Sequence, residues 1–490
     1  MIVMDNTILY TALPTLTTDL GATGSQSLWI INAYPVVMAG LLLGAGTLGD
    51  RVGHRNMFLI GLSVFAAASL LAAFSPTAAV LIAARALLAV GAAAMMPATL
   101  ALIASTFTDE RERNSAFAIW GAASTIGMAS GPVVGGALLE MFWWGAAFLI
   151  NVPIALAAIV ATILIAPVND PNPAKNWDQL SSLWALIGLV GAVLTIKESA
   201  HPPQNWTLIT VSLLLSVIGL TMFVLRQKRL SEPLLDFTLF RNRVFTAGVL
   251  GAGISLFPIV GIQLVTTQRF QLLEGFTPLQ AGLLVAAIAA GNIPATLAGG
   301  ALLHRTGLLP LISGGLAIAV GGVLVLMVGA ESTLAVFIIG LVVTGVGLGF
   351  VGAVASNAIL SNAPSHRAGM ASSVEEVSFE FGSLTAVALI GSLVSLVYSL
   401  TIELPLGAPT SARESLADAV TSFDAVPGLF EAAHDAYATG YLIVLIVIAV
   451  ILAFGALITG WLLRHHGPGT AVTASFSETD THNTPKEART

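Results

Sequence analysis

The 490-residue chain has no cysteine. It can form no disulfide, hold no metal through thiolates and use no cysteine nucleophile. Charge is scarce too. The 19 basic and 26 acidic residues make up 9% of the chain, where a soluble protein carries about 25%. So few charges cannot cover the surface of a soluble fold of this length. That excludes an ordinary soluble enzyme, a disordered protein and a nucleic-acid binder, which needs a basic face. The eight histidines lie in loops and the tail without metal-ligand spacing, so nothing supports a membrane enzyme, and no cofactor is implied. No GxxxxGK phosphate loop occurs, so energy for any transport should come from an ion gradient. Pore-lining rings of charge are missing as well, which argues against a channel.

What remains is apolar. Hydrophobic residues make up 56% of the chain, there are 48 glycines, and the mean hydropathy is +0.90. A helix needs about 20 mostly apolar residues to cross a bilayer. Runs of that kind lie at 1–18, 29–49, 57–74, 79–105, 114–139, 145–166, 181–198, 207–225, 245–268, 278–303, 309–329, 333–361, 370–398 and 438–463. They are too long and continuous for barrel strands. The fold class expected is an all-α membrane protein with 14 transmembrane helices.

An even number of spans puts both termini on one side, and the positive charges choose it. Loops after even-numbered spans and the tail hold 15 of the 19 cations. The opposite loops hold Lys197, Arg269 and Arg413, and Arg85 lies inside a run. Both termini are therefore expected in the cytoplasm of a multi-pass inner-membrane protein. The segment 226–244 reads as a basic cytoplasmic linker and 464–490 as a disordered cytoplasmic tail.

Two cytoplasmic turns echo each other. GTLGDRVGHR supplies Gly46, Asp50, Arg51, Gly53, His54 and Arg55, and GGALLHRTG supplies Gly300, His304, Arg305 and Gly307. Such an echo suggests two repeated halves. The fifth run holds GMASGPVVGG, with Gly127, Gly131, Pro132, Gly135 and Gly136. Glycines at spacings of four let helices approach closely, and proline bends the helix.

This stretch resembles the antiporter motif of drug:proton exporters in the major facilitator superfamily. The turn at 46–55 resembles that family's cytoplasmic loop motif. Arg85 with Gly91 resembles its fourth-span arginine motif, although Ala89 stands where many members have glycine. MDNTILYTALP (4–14), WWGAAFLINVP (143–153) and VEEVSFEFG (374–382) are similar to the fourteen-span drug:proton antiporter branch, and within it to the QacA, SmvA and LfrA type. The resemblance implies a major-facilitator fold of two six-helix bundles plus two inserted helices. The corresponding boundaries are 1–166, an inserted pair with its linker at 167–244, 245–463, and the tail 464–490. It also implies export of lipophilic cations such as quaternary ammonium biocides, dyes and drugs in exchange for protons. An exporter of an endogenous metabolite or antibiotic is the alternative. The partners implied are small cationic substrates, protons and the bilayer, with the chain acting as a monomer.

An ionisable group inside a span is costly and marks function. The candidates are Asp5, Arg85, Glu375, Glu376 and Glu380. Glu376 and Glu380, at i and i+4, share a helix face. They are the expected proton and cation pair, with Glu375, about 100° around the helix, third. Asp5 matches the acid of the family's first-span motif, which faces the central cavity. Arg85 is expected to pair with Asp5 or to tether backbone carbonyls. Asp50 and Arg51 are expected to latch one state of the cycle. Asn32 and Asn292 stand where some relatives carry acids, which shifts the expected preference toward monovalent cations. Tyr34, Trp120 and Phe379 are candidate cavity aromatics. Only four residues precede Asp5, a short lead for a first span, so the natural chain is expected to begin further upstream. Between the last two spans, Leu416, Ala419, Val420 and Phe423 form one stripe and Leu429, Phe430, Ala433 and Tyr437 another, broken at Pro427-Gly428. An external helical hairpin over 399–437 is expected, covering the outer mouth.

Overall fold

Two threonine boxes start two long helices. The Thr23 hydroxyl accepts from the Gln26 N–H, and the Gln26 side chain accepts from the Thr23 N–H. Thr277 and Gln280 repeat the arrangement. They begin α2 (Gly24–Val52) and α11 (Pro278–Thr306). Thr77 and Thr333 likewise cap α4 (Ala78–Thr106) and α13 (Leu334–Leu360). Each such cap contributes about 1 kcal/mol. At the far ends of α2 and α11 the chain turns on Gly53 and Gly307, with φ of +92° and +78°. A side chain is strained in that region. Each glycine ends one helix and directly begins the next, α3 (His54–Ala73) and α12 (Leu308–Ala330).

The computed structural model describes residues 1–107, 110–171, 178–199, 204–230, 233–362 and 368–466. The tail from 467 on lies outside them. The other helices are α1 (Ile2–Leu20), α5 (Glu110–Met141), α6 (Ala146–Leu149), α7 (Asn151–Ile165), α8 (Gln179–Ser199), α9 (Trp206–Gln227), α10 (Arg243–Leu272), α14 (Ala368–Thr401), α15 (Leu416–Val420) and α16 (Leu429–Leu462). No strand occurs among the described residues. The sixth run, read as one span, breaks at Ile150. Pro153 has no N–H to give the Leu149 carbonyl, and its ring crowds that position. Eleven of these segments are long and apolar enough to cross a membrane, α6 and α7 counting as one. The other three long helices, α1, α2 and α5, pack into the same body.

The packing has a repeated plan. In the first half α2 packs on α4, α3 on α4, α1 on α5 and α3 on α7. In the second, α11 packs on α13, α12 on α13, α10 on α14 and α12 on α16. The halves meet mainly through α5 on α11 and α2 on α14, which the same repeat interconverts. The paired α8 and α9 lie outside this plan, with α8 against both α2 and α14.

Residues 402–428 cap one end of the bundle, called here the hairpin end. The Tyr398 hydroxyl donates to the Ala412 carbonyl at 3.0 Å, and Ser415 caps α15. Leu416 and Ala419 are buried, and Phe423 meets Phe430 edge-on at 5.3 Å. The second arm is not a separate helix as the stripe suggested. Gly428, with φ +81°, starts α16, which runs unbroken from Leu429 through the membrane-length segment. Leu429, Ala433 and Tyr437 are buried, whereas Phe430 is exposed.

Candidate functional site

The first half buries one charge pair. Arg85 on α4 is 0% exposed and Asp5 on α1 is 1% exposed. Arg85 Nη1 donates to Asp5 Oδ2 at 2.6 Å, Nη2 to Asn6 Oδ1 at 2.9 Å, and Nε to the Ile30 carbonyl at 3.1 Å. Asn151 Nδ2, on the first residue of α7, donates to Asp5 Oδ1 at 2.6 Å. Both carboxylate oxygens and all three guanidinium nitrogens are therefore engaged. A buried ion pair repays its desolvation only when its remaining donors and acceptors are satisfied in this way. The sequence expectations for Arg85, pairing with Asp5 or tethering a carbonyl, both hold in this one cluster. Asn6 and Asn151 were not foreseen, and the break after α6 is what presents Asn151.

Tyr34 on α2 completes this cluster rather than offering a free ring. The Arg85 guanidinium lies 4.7 Å from its ring centre, so one face is already occupied. Its hydroxyl, with Thr11 Oγ1 and Asn32 Oδ1, is buried without a hydrogen-bond partner among the described residues.

α14 distributes its acids over different neighbours. Glu375 is buried against α13, where it accepts a hydrogen bond from Ser356. Glu376 and Glu380 are half-buried and turn toward the first half. Glu380 is within electrostatic reach of Arg85, Tyr10 and Tyr34, and Glu376 of Tyr34. One Glu380 oxygen, Oε2, is buried without a hydrogen-bond partner among the described residues. The i, i+4 pair thus faces the Arg85 cluster across the α2–α14 contact. The other cavity candidates are dispersed. Phe379 packs against the cluster of Leu239, Phe245 and Ala252, away from the facing acids. Asn292 accepts from Thr296 at 3.4 Å and lies where α11 meets α13. Trp120 is half-buried on α5.

The glycines of the fifth run serve two faces. Gly127, Gly131 and Gly135 face Met4, Thr7 and Ile8 of α1, while Gly136 and the Pro132 carbonyl meet Leu279 and Gly282 of α11. One face packs the first half and the other joins the halves. A Cβ at Gly131 would overlap the Thr7 hydroxyl, whereas one at Gly127 would find its nearest atom at 3.9 Å. Gly131→Val is therefore expected to cost about 1–3 kcal/mol, as overpacking does, while Gly127→Ala stays close to the parent. Thermal unfolding of the two purified variants checks this.

In the loop motif, Gly46 is half-buried and Arg51 exposed, and the side chain of Asp50 lies outside the described residues. Arg55 Nη2 donates to the Ile163 carbonyl at 3.0 Å. Asn169 bridges the turn, donating to the Val52 carbonyl at 2.9 Å and accepting from the Asn56 N–H at 3.1 Å. Any Cβ at Gly53 would strike Asn169.

The sequence profile described as the Major Facilitator Superfamily matches residues 1–387. The chain is 34% identical to the multidrug efflux pump LfrA of Mycolicibacterium smegmatis over 95% of its own length and 94% of that protein. It is 36% identical to the methyl viologen resistance protein SmvA of Salmonella typhimurium, over 89% and 90%. Among solved structures it is similar to a bacterial homolog of the human lysosomal transporter Spinster in an inward-facing, unoccupied conformation. That likeness has TM-score 0.61 and 16% identity and covers 96% of both chains. The chain belongs to the Major Facilitator Superfamily, as the motif resemblance implied. It is a multi-span membrane transporter of small molecules and not an enzyme.

Proposed function

We propose that this facilitator is a fourteen-span, proton-coupled antiporter that exports lipophilic cations from the cytoplasm by alternating access, with both termini cytoplasmic. The observation that carries the reading is the contrast between two acidic sites. Asp5 is saturated by Arg85 and Asn151, whereas Glu380, facing that cluster, keeps a buried oxygen unpartnered. A carboxylate already held by a cation and an amide has nothing left for cargo. One with a free oxygen can hold either a proton or a cation, and that exclusivity is the coupling an antiporter needs. The multidrug efflux pumps among its relatives support the substrate class, and 15 of 19 cations on one set of loops support the orientation.

With this orientation the hairpin end is external. There α5 packs closely on α11, and Gln271 of α10 donates to the Thr11 carbonyl of α1 at 3.0 Å. The halves are therefore joined on the outside, and release requires them to rock apart beneath α15. Glu403, Glu414, Asp424, Glu431 and Asp435 are exposed around that mouth, where they favour cations leaving the protein.

The test is dye efflux from an efflux-deficient host expressing the chain. Efflux that collapses on adding a protonophore is expected. Efflux indifferent to the protonophore removes proton coupling. No efflux of any cationic dye, with the protein present in the membrane, leaves the endogenous-metabolite exporter as the better reading.

A further inference from the structure

The pair α8–α9 ends in a polar network, buried at Ser181 and Gln227 and open to solvent at Arg226, that the export cycle above does not use. Asp178 stands just before α8 and Arg226 in the last turn of α9. Arg226 Nε and Nη2 hold both oxygens of Asp178 at 2.8–3.1 Å. Ser181 Oγ donates to Asp178 at 2.5 Å and accepts from Gln227 Nε2 at 2.7 Å. Gln227 Oε1 then accepts from the N–H of Leu235 at 3.2 Å, in the linker to α10. Gln227 is 2% exposed, deep burial for an amide at the end of a helix. Burial pushes the Asp178 carboxyl up, but hydrogen bonds from Arg226 and Ser181 outweigh it and hold it below its usual range. The network therefore stays ionised at neutral pH.

Leu235 is where this network ends, and it joins two apolar clusters. One holds Ala185, Phe223, Leu234 and Val377. The other holds Phe245, Ala355 and Val374. Val374 and Val377 bracket Glu375 and Glu376 on α14. From the other side α8 spans the α2–α14 contact, where Leu189 and Val193 pack with Val36, Ala39, Leu384 and Ala388. The acidic turns of α14 thus share two apolar clusters with a segment whose backbone N–H donates its hydrogen bond to Gln227.

We infer that Gln227, held in turn by the Asp178–Arg226 pair, is a positioning residue for the export acids: it fixes Leu235 in the two apolar clusters that Val374 and Val377 join, and so sets where Glu376 and Glu380 stand. The inference rests on the reading of those glutamates as the cation and proton site. It gives the inserted helices a task in the transport reaction rather than leaving them as a spacer.

The chain's lack of cysteine makes a direct test possible. With Leu235 and Val377 packed against one cluster, Leu235→Cys with Val377→Cys is expected to cross-link under oxidation in the purified protein, and much more slowly when Gln227→Ala is added. Arg226→Lys keeps the charge but loses the two-oxygen grip, and is expected to slow cross-linking in the milder direction. In cells, Gln227→Ala is expected to raise the half-saturating dye concentration about fivefold, the scale of effect expected when a packed neighbour displaces a binding group by less than an ångström. The maximal rate stays close to the parent. Equal cross-linking with and without Gln227, or slowed cross-linking with an unchanged half-saturation, overturns the inference. The export reading is judged separately, by Glu380→Gln. If that variant exports normally, the glutamates are not the site, whatever the cross-linking shows.

Discussion

Glu380→Gln is expected to reduce proton-driven dye export at least about tenfold, a loss of roughly 1.4 kcal/mol or more of coupling, with the protein still made and inserted. Glutamine keeps the shape of the side chain and can still hydrogen-bond, but it neither ionises nor attracts a cation. In the structure the Glu380 carboxylate faces Arg85 and Tyr34 and carries the unpartnered oxygen. Glu376→Gln is expected to show the same direction, because the two acids share a face one turn apart. Two carboxylates so close in a site of low dielectric repel when both are ionised. A single cation between them relieves the repulsion, and so does a proton on either. Glu375→Gln is expected to do less to export, since Glu375 is held by Ser356 of α13 and lies within the second half. Efflux rates at matched expression decide the order. Full activity in both the Glu376 and Glu380 variants would take the pair out of the mechanism.

How much of this was legible beforehand follows from what each signal rests on. The helices were readable because apolar runs of membrane length have no competing solution in a lipid solvent. The breaks were less readable. Pro153 interrupts the sixth run because the Leu149 carbonyl has no donor and the ring crowds it, whereas a membrane-length run is read by its apolar content and many such runs carry proline without a break. The second arm of the expected hairpin merged with α16 because nothing after Leu429 stops the helix, and the break chemistry at Pro427 and Gly428 acts only before it. The two Thr-x-x-Gln boxes were present in the sequence and mark the repeat more clearly than the loop echo does.

At the site, charge scarcity singled out Asp5, Arg85 and the three glutamates, since each is conspicuous in an apolar run. It could not find Asn6, Asn151 or Asn169, which are uncharged and take on their roles only through tertiary contact. Tyr34 was singled out as a ring for cargo, yet Arg85 stacks on it, because an aromatic beside a buried guanidinium satisfies the cation that is already there.

Removing one partner of the buried pair is expected to damage the protein more than removing both. Arg85→Met leaves Asp5 as a carboxylate at 1% exposure with only Asn151 to hold it, and Asp5→Leu leaves a guanidinium with a carbonyl and one amide. Stranding a buried charge in this way costs about 3–5 kcal/mol. Each single variant should therefore melt well below the parent or fail to accumulate. The double variant Asp5→Leu with Arg85→Met replaces the pair with apolar groups of comparable bulk, and such replacements are often neutral in stability. Thermal unfolding is expected to recover part of the loss in that double variant, the remainder being the about 1–3 kcal/mol of a buried Asn151 amide left without its carboxylate. Export is not. Without the pair, Glu380 faces an apolar surface in place of the Asp5–Arg85 cluster. The first half then has no charged group to answer the exchange on α14, so dye efflux stays low although the protein is stable. If the stable double variant exports at the parental rate, the Asp5–Arg85 cluster is a structural tether, and the exchange site lies wholly on α14.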